Sequence, residues 1–224
     1  MGVFGQDKTE LRELVGQLGS RSALLLLHGA QRDDGGWHLA GEYVLLPTLV
    51  RRFLEGERGP ELGVTTLKEG TSAILYGREP TGELRGTWRG GIFKGTRYGA
   101  GGQERERFEF SEEFPSMEGH SSSVHCQVGE GRQASTLAYA IDSGKLRSFE
   151  WRSGSCTLSG LEQQPVKGGL RFAAGRCAVM LREIGDLVKI AAEGCAQHCG
   201  ADAYLEPLLV DRRGNCRLLR PEAR

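Results

Sequence analysis

The chain has 224 residues, room for one large or two small domains, with 38% hydrophobic and 26% charged side chains. Its 29 basic and 29 acidic residues cancel to a formal net charge of zero, so charge gives no case for nucleic acid or an anionic membrane as partner. No apolar run approaches the roughly 20 residues of a spanning helix, and no membrane span is expected; the most apolar stretch, Ser22 to His28, is too short.

Asp7 to Gly19 reads as a short helix. Leu11, Leu14, Val15 and Leu18 recur at helical spacing, Asp7 can cap the start with Glu10 three residues on, and Gly19 is a stop signal. Short β runs follow. Ala23 to His28 is closed by Asp33-Asp34-Gly35-Gly36. Trp37 to Leu45 alternates, with Trp37, Leu39, Gly41, Tyr43 and Leu45 on one phase. Arg51 to Glu55, Val64 to Lys68 and Ala73 to Tyr76 continue the series.

Glu83 to Phe110 is the clearest stretch. Gly90-Gly91 joins two β-prone runs, and both residues tolerate the positive φ that tight hairpin turns require. After the turn at Gly99 to Gly102, Glu104, Glu106, Phe108 and Phe110 share one phase. The stretch is expected to form a three-stranded antiparallel meander. Neither glycine cluster precedes a helix or carries the Lys-Ser/Thr of a phosphate loop.

Ser111 to Ser123 changes character, with Glu112, Glu113, Pro115, Gly119 and a serine cluster. It reads as a connector between two β modules or as a long loop within one domain. Beyond it, Thr136 to Ile141 and Lys145 to Trp151 flank a Ser143-Gly144 hairpin, and Ser153-Gly154 turns the chain into Cys156 to Leu161. Leu170 to Ala173, Cys177 to Arg182, Leu187 to Ala192 and Tyr204 to Val210 follow. Polar Asp211 to Asn215 then leads into Cys216 to Leu219. The frequent glycines, 34 and without a period, fit many turns. The expected fold is all-β: antiparallel meanders forming a sandwich, barrel or propeller-like structure, with one short N-terminal helix. The modules would span 1–115 and 116–224, or merge into one continuous domain.

The six cysteines are Cys126, Cys156, Cys177, Cys195, Cys199 and Cys216, all in the second half. Cys156 is in phase with Leu158, and Cys177 with Val179 and Leu181, so both point at a core. They pair if their strands are neighbours, or stay as buried thiols. Around Cys195-Ala-Gln-His198-Cys199-Gly200, with Cys216 nearby, three chemistries compete. Disulfide stapling would pair Cys199 with Cys216 and Cys126 with Cys195. A zinc site would use Cys195, His198, Cys199 and Cys216. A catalytic thiolate would take His198 as base, without an identifiable third group. His28, His38, His120 and His125 are scattered, and Glu104/Glu106 and Glu112/Glu113 read as solvated faces before an acid/base pair.

Residues 41 to 110 resemble a module of bacterial exported proteins and lipoproteins. The shared features are Gly41-Glu42-Tyr43, Leu54-Glu55-Gly56, Leu67-Lys68-Glu69 and Gly86-Thr87-Trp88. Residues 137 to 216 resemble the second half of such proteins, through Lys145 to Phe149, Cys156, Cys177, Gly185-Asp186, Cys199-Gly200-x-x-Ala203 and Cys216. Proteins of this appearance include periplasmic lysozyme inhibitors and immunity lipoproteins that block a rival's wall-cleaving enzyme. Departures are a leader and lipobox not visible at Met1 to Phe4, and no Ser-Gly-Ile/Val-x-Tyr loop.

The resemblance implies a periplasmic or secreted binding protein, not an enzyme and without a cofactor, that offers a disulfide-held loop to a cell-wall hydrolase. Contact candidates are His198, Asp202, Tyr204, Arg212 and Arg213, on the loops Cys195 to Ala203 and Asp211 to Asn215. Two alternatives stand beside it. One is a cytoplasmic protein with a zinc site or a thiol-dependent activity; the other is a structural protein of the envelope.

Overall fold

The computed structural model describes residues 9–59, 63–71, 79–129, 134–195, 199 and 205–219. They form eighteen β-strands, all paired antiparallel, in two compact units that divide between Glu113 and Phe114. The expected run Ala73 to Tyr76 lies outside the described residues.

The first unit is a closed eight-stranded barrel. Its strands are β1 (Thr9–Leu18), β2 (Arg21–Gln31), β3 (Trp37–Leu45), β4 (Val50–Arg58), β5 (Val64–Gly70), β6 (Gly82–Arg89), β7 (Ile92–Gly99) and β8 (Glu104–Ser111). Each pairs with the next, and β1 pairs with β8 from Val15↔Ser111 to Leu18↔Phe108 to close the ring. The meander expected over Glu83 to Phe110 is present as β6, β7 and β8, with Gly90 and Gly91 at φ 58° and 78°. Every second residue points inward. Leu84, Phe93 and Phe110 are fully buried, and Trp88 stacks on Phe93 with ring centroids 4.7 Å apart. Outward-facing Arg85, Thr87, Arg89 and Lys94 are exposed.

The expected N-terminal helix is absent; the segment is β1. Leu14 and Leu18 are four residues apart, which keeps them on one side in a helix and in a strand alike, so they cannot discriminate between the two. Leu11 would have to share the helix's apolar face, yet it is 68% exposed. Inward come Glu10, Arg12, Leu14 and Leu18 at a period of two, and ten residues pair with β2.

Glycine has a second use beside turns. A side-chain carbon on Gly41 would fall on the Leu26 carbonyl oxygen, and one on Gly56 on that of Thr66. Neighbouring backbones press so closely at these inward positions that only glycine fits, which lets a small barrel coil tightly enough to close.

In the second unit β9 (Ser122–Val128), β10 (Ser135–Asp142), β11 (Lys145–Ser153) and β12 (Cys156–Ser159) form one sheet in the order β12-β11-β10-β9. The other sheet runs in sequence order through β13 (Glu162–Gln164), β14 (Leu170–Ala174), β15 (Cys177–Ile184), β16 (Leu187–Glu193), β17 (Leu208–Asp211) and β18 (Cys216–Leu218). Both sheets feed one core, centred on fully buried Trp151, Phe172, Leu137 and Ile190. Burying each such side chain contributes about 1.5–3 kcal/mol. The hairpins at Ser143-Gly144 and Gly154 are where the sequence puts them. The Tyr204 to Val210 run is shorter than expected, because β17 starts only after Pro207, which has no N–H to donate.

Candidate functional site

Three cysteine pairs stand at disulfide distance, and all six sulfurs are used. Cys126 joins Cys216, Cys156 joins Cys199, and Cys177 joins Cys195, with Cα atoms 5.9, 4.6 and 4.2 Å apart. The expected partners were different. Cys156 and Cys177 both face the core, but β12 edges one sheet and β15 lies inside the other, so they are not strand neighbours. Cys216 sits on β18 opposite β9, which gives it Cys126 and leaves Cys199 to Cys156. Cys195, Cys199 and Cys216, three of the four ligands of the zinc alternative, each belong to a different disulfide, so neither that site nor a catalytic thiolate can form without reduction. His198, Asp202 and Tyr204 lie outside the described residues.

Arg212 and Arg213 are exposed in the turn between β17 and β18. Asp211 builds that turn. Its carboxylate accepts from the backbone N–H of Arg213 (2.8 Å) and of Asn215 (2.9 Å), and from the Asn215 side-chain amide (2.9 Å). The Asn215 bonds hold the Asp211 carboxyl below the usual carboxylate range. Arg212 pairs with Asp186 at 2.7 Å, a pair open to solvent that adds little stability.

This turn forms one rim of a cleft of about 280 Å³ at the end of the two sheets. The other rim is the start of β9, and Val124, Val188 and Val210 supply an apolar lining. His120 stands in the cleft, fixed by its backbone: its N–H donates to the Met117 carbonyl (3.1 Å) and its carbonyl accepts from Gly144 N–H (2.7 Å). The ring spans the two sheets. Nδ1 lies 2.9 Å from Glu183 Oε1 on β15, and Nε2 lies 3.0 Å from Ser122 Oγ on β9. Tyr139, on β10, is nearly fully buried beside them. Burial pushes its phenol above the ordinary range, and a hydrogen bond with Ser122 pulls the other way. The Cys126–Cys216 bond ties β9 to β18, the strands that carry the two rims.

Sequence reasoning treated His120 as one of several scattered histidines and did not single out Ser122, Tyr139 or Glu183. These side chains come from the start of one sheet and the middle strand of the other, a juxtaposition no local spacing announces. The other histidines His28, His38 and His125 are exposed. Glu112 is paired with Arg12, and Glu106 with Arg21 at 2.7 Å, so these acids serve as ion-pair partners.

Inside the barrel a polar cluster gathers around Glu69, while Thr65 Oγ1 and Trp88 Nε1 are buried without a hydrogen-bond partner. Glu69, with no exposed surface, accepts two bonds from Arg97 (2.7 and 2.8 Å) and one from the Tyr43 hydroxyl (2.8 Å), with Arg52 at 3.6 Å. Further along β3 and β4, Arg58 lies 5.0 Å over the Trp37 ring and 3.1 Å from Glu10. Among the described residues, no group of three or more His, Cys, Asp or Glu side chains is placed to hold a metal ion, and no helix is long and apolar enough to cross a membrane. Compared with protein-family models, curated protein sequences and solved structures, the chain matches none.

Proposed function

We propose that the chain is an extracytoplasmic binding protein whose recognition surface is the cleft between His120 and the Asp211 to Asn215 turn. The observation that carries this reading is the Cys126–Cys216 bond, which fastens the two rims of the cleft to each other. A surface held in its bound shape loses less conformational entropy on association. Disulfides persist in oxidising compartments, and the three cysteine pairs support a periplasmic or secreted location.

The partner is a protein. A cleft of about 280 Å³ is smaller than the roughly 300–1,000 Å³ of sites that engulf a drug-sized ligand, so a larger partner meets its rim. The resemblance to lysozyme inhibitors and immunity lipoproteins makes a cell-wall hydrolase the first partner to test. Arg212 and Arg213, exposed on the rim, would face acidic groups of that enzyme.

The test is a lysis assay. Oxidised full-length chain is added to a panel of wall hydrolases acting on a cell-wall suspension, with Arg212→Glu/Arg213→Glu as the paired variant. Inhibition of at least one hydrolase that the variant weakens supports the reading. Unchanged lysis by every member, together with no retention of any on immobilised chain, overturns it.

A further inference from the structure

Within that cleft the row Ser122, His120, Glu183 has the order of an activated nucleophile. A hydroxyl becomes nucleophilic when a base accepts its proton and a third group orients the base. Ser122 Oγ is 3.0 Å from His120 Nε2, and His120 Nδ1 is 2.9 Å from Glu183 Oε1. With its Nδ1 proton donated to the carboxylate, the imidazole presents an unprotonated Nε2 to the serine. Ser122, His120 and Glu183 all line the cleft, and Ser122 is half-buried.

We propose that Ser122 is a nucleophile that accepts short acyl groups from esters, with His120 as its base and Glu183 as a positioning residue. Oγ attacks the ester carbonyl carbon while its proton passes to Nε2. The tetrahedral oxyanion collapses, the bond to the alcohol oxygen breaks, and the alcohol leaves with the proton from Nε2. Water, deprotonated by His120, then attacks the acyl-serine and releases the carboxylic acid, restoring the hydroxyl. Arg213, which lines the cleft and has no ion-pair partner among the described residues, supplies positive charge for the oxyanion. The small volume and the valine lining select a short aliphatic acyl group over a polymer.

The test uses the full chain with its disulfides intact, p-nitrophenyl acetate and a fluorophosphonate probe, and peptide mass mapping of the adduct. A single adduct on Ser122 is expected. Ser122→Ala loses it, and Ser148→Ala, exposed on β11 and outside the cleft, keeps the parent's rate. His120→Gln slows labelling by about 10²- to 10⁴-fold. Glu183→Gln lowers kcat for p-nitrophenyl acetate and the labelling rate by about tenfold or more with KM little changed, because the ring loses the carboxylate that orients it. A row that only ties the sheets together would leave Ser122 no more reactive than Ser121 or Ser123. No adduct on Ser122 of the parent, or an unchanged rate in Glu183→Gln, overturns the proposal. Adduct mapping on the parent decides the matter if Ser122→Ala folds poorly. Capture of a wall hydrolase by a chain that takes no label separates failure of this chemistry from failure of the binding reading.

Discussion

Replacing Glu69 by Gln tests how the barrel interior is held. The carboxylate has no exposed surface, and it receives both Arg97 bonds and the Tyr43 hydroxyl, with Arg52 close by. Gln keeps one acceptor but removes the charge, so two guanidinium groups lose their counter-ion. Removing one partner of a buried ion pair costs about 3–5 kcal/mol. Arg97 and Arg52 keep 19% and 33% of their side-chain surface in water, which screens part of that loss. The low end, about 3 kcal/mol, is therefore expected. At roughly 4 °C per kcal/mol for a domain near 100 residues, the barrel's melting temperature falls by about 12 °C.

Calorimetry of the full chain at neutral pH measures this drop. The double change Glu69→Leu/Arg97→Met removes the closest ion pair and should recover part of it, since apolar replacement of a buried pair is often neutral, while Arg52 and the Tyr43 hydroxyl still lose their partner. Acid adds a second readout. Burial alone would raise the Glu69 carboxyl, but the bonds from Arg97 and Tyr43 prevail and hold it below its ordinary range. A depressed carboxyl stabilises the fold above its unfolded pKa, about 4.3, and that contribution is lost as pH falls through the lower folded value. Glu69→Gln should flatten that part of the acid limb. A variant within about 0.5 kcal/mol of the parent, with the acid limb unchanged, would refute a buried and charged Glu69.

Other consequences follow from packing and cross-linking. Gly41→Ala drives a methyl onto the Leu26 carbonyl and should cost about 1–3 kcal/mol or more, whereas Gly59→Ala, with open space around it, should stay within about 0.5 kcal/mol; urea unfolding compares them. Removing Cys126–Cys216, whose sequence separation is 90, should destabilise the second unit by about 4.6 kcal/mol on the chain-entropy estimate. Removing Cys177–Cys195, separation 18, should cost about 3.2 kcal/mol, so the paired Ser variants should unfold in that order in urea.

Strand alternation was the most legible part of the chain. Trp37 to Leu45 and the Glu83 to Phe110 meander carry strong period-two patterns, because each strand has one face on a core and one in water. β1 misled because Leu14 and Leu18 fit both periods, and its other inward residues, Glu10 and Arg12, are charged. Their charge is tolerated because Glu10 meets Arg12 on the same strand and Arg58 on β4, a contact that depends on the barrel's formation. β9 hid in a serine cluster, since only Val124 is a buried apolar residue there. The cleft and the Cys126–Cys216 bond were illegible for a shared reason: each joins residues of different sheets, and sheet packing is not written in local periodicity. Arg212 and Arg213 could be singled out because a polar, glycine-containing run between β-prone segments marks an exposed turn.

The sulfur pairing bears most directly on a disulfide-braced, extracytoplasmic binding protein. Native chain is treated with an alkylating reagent, then digested without reduction and mapped by mass spectrometry. The expected result is no alkylated cysteine and three linked peptide pairs, Cys126 with Cys216, Cys156 with Cys199 and Cys177 with Cys195. Alkylated thiols in the native chain, or a Cys156–Cys177 peptide, would contradict it.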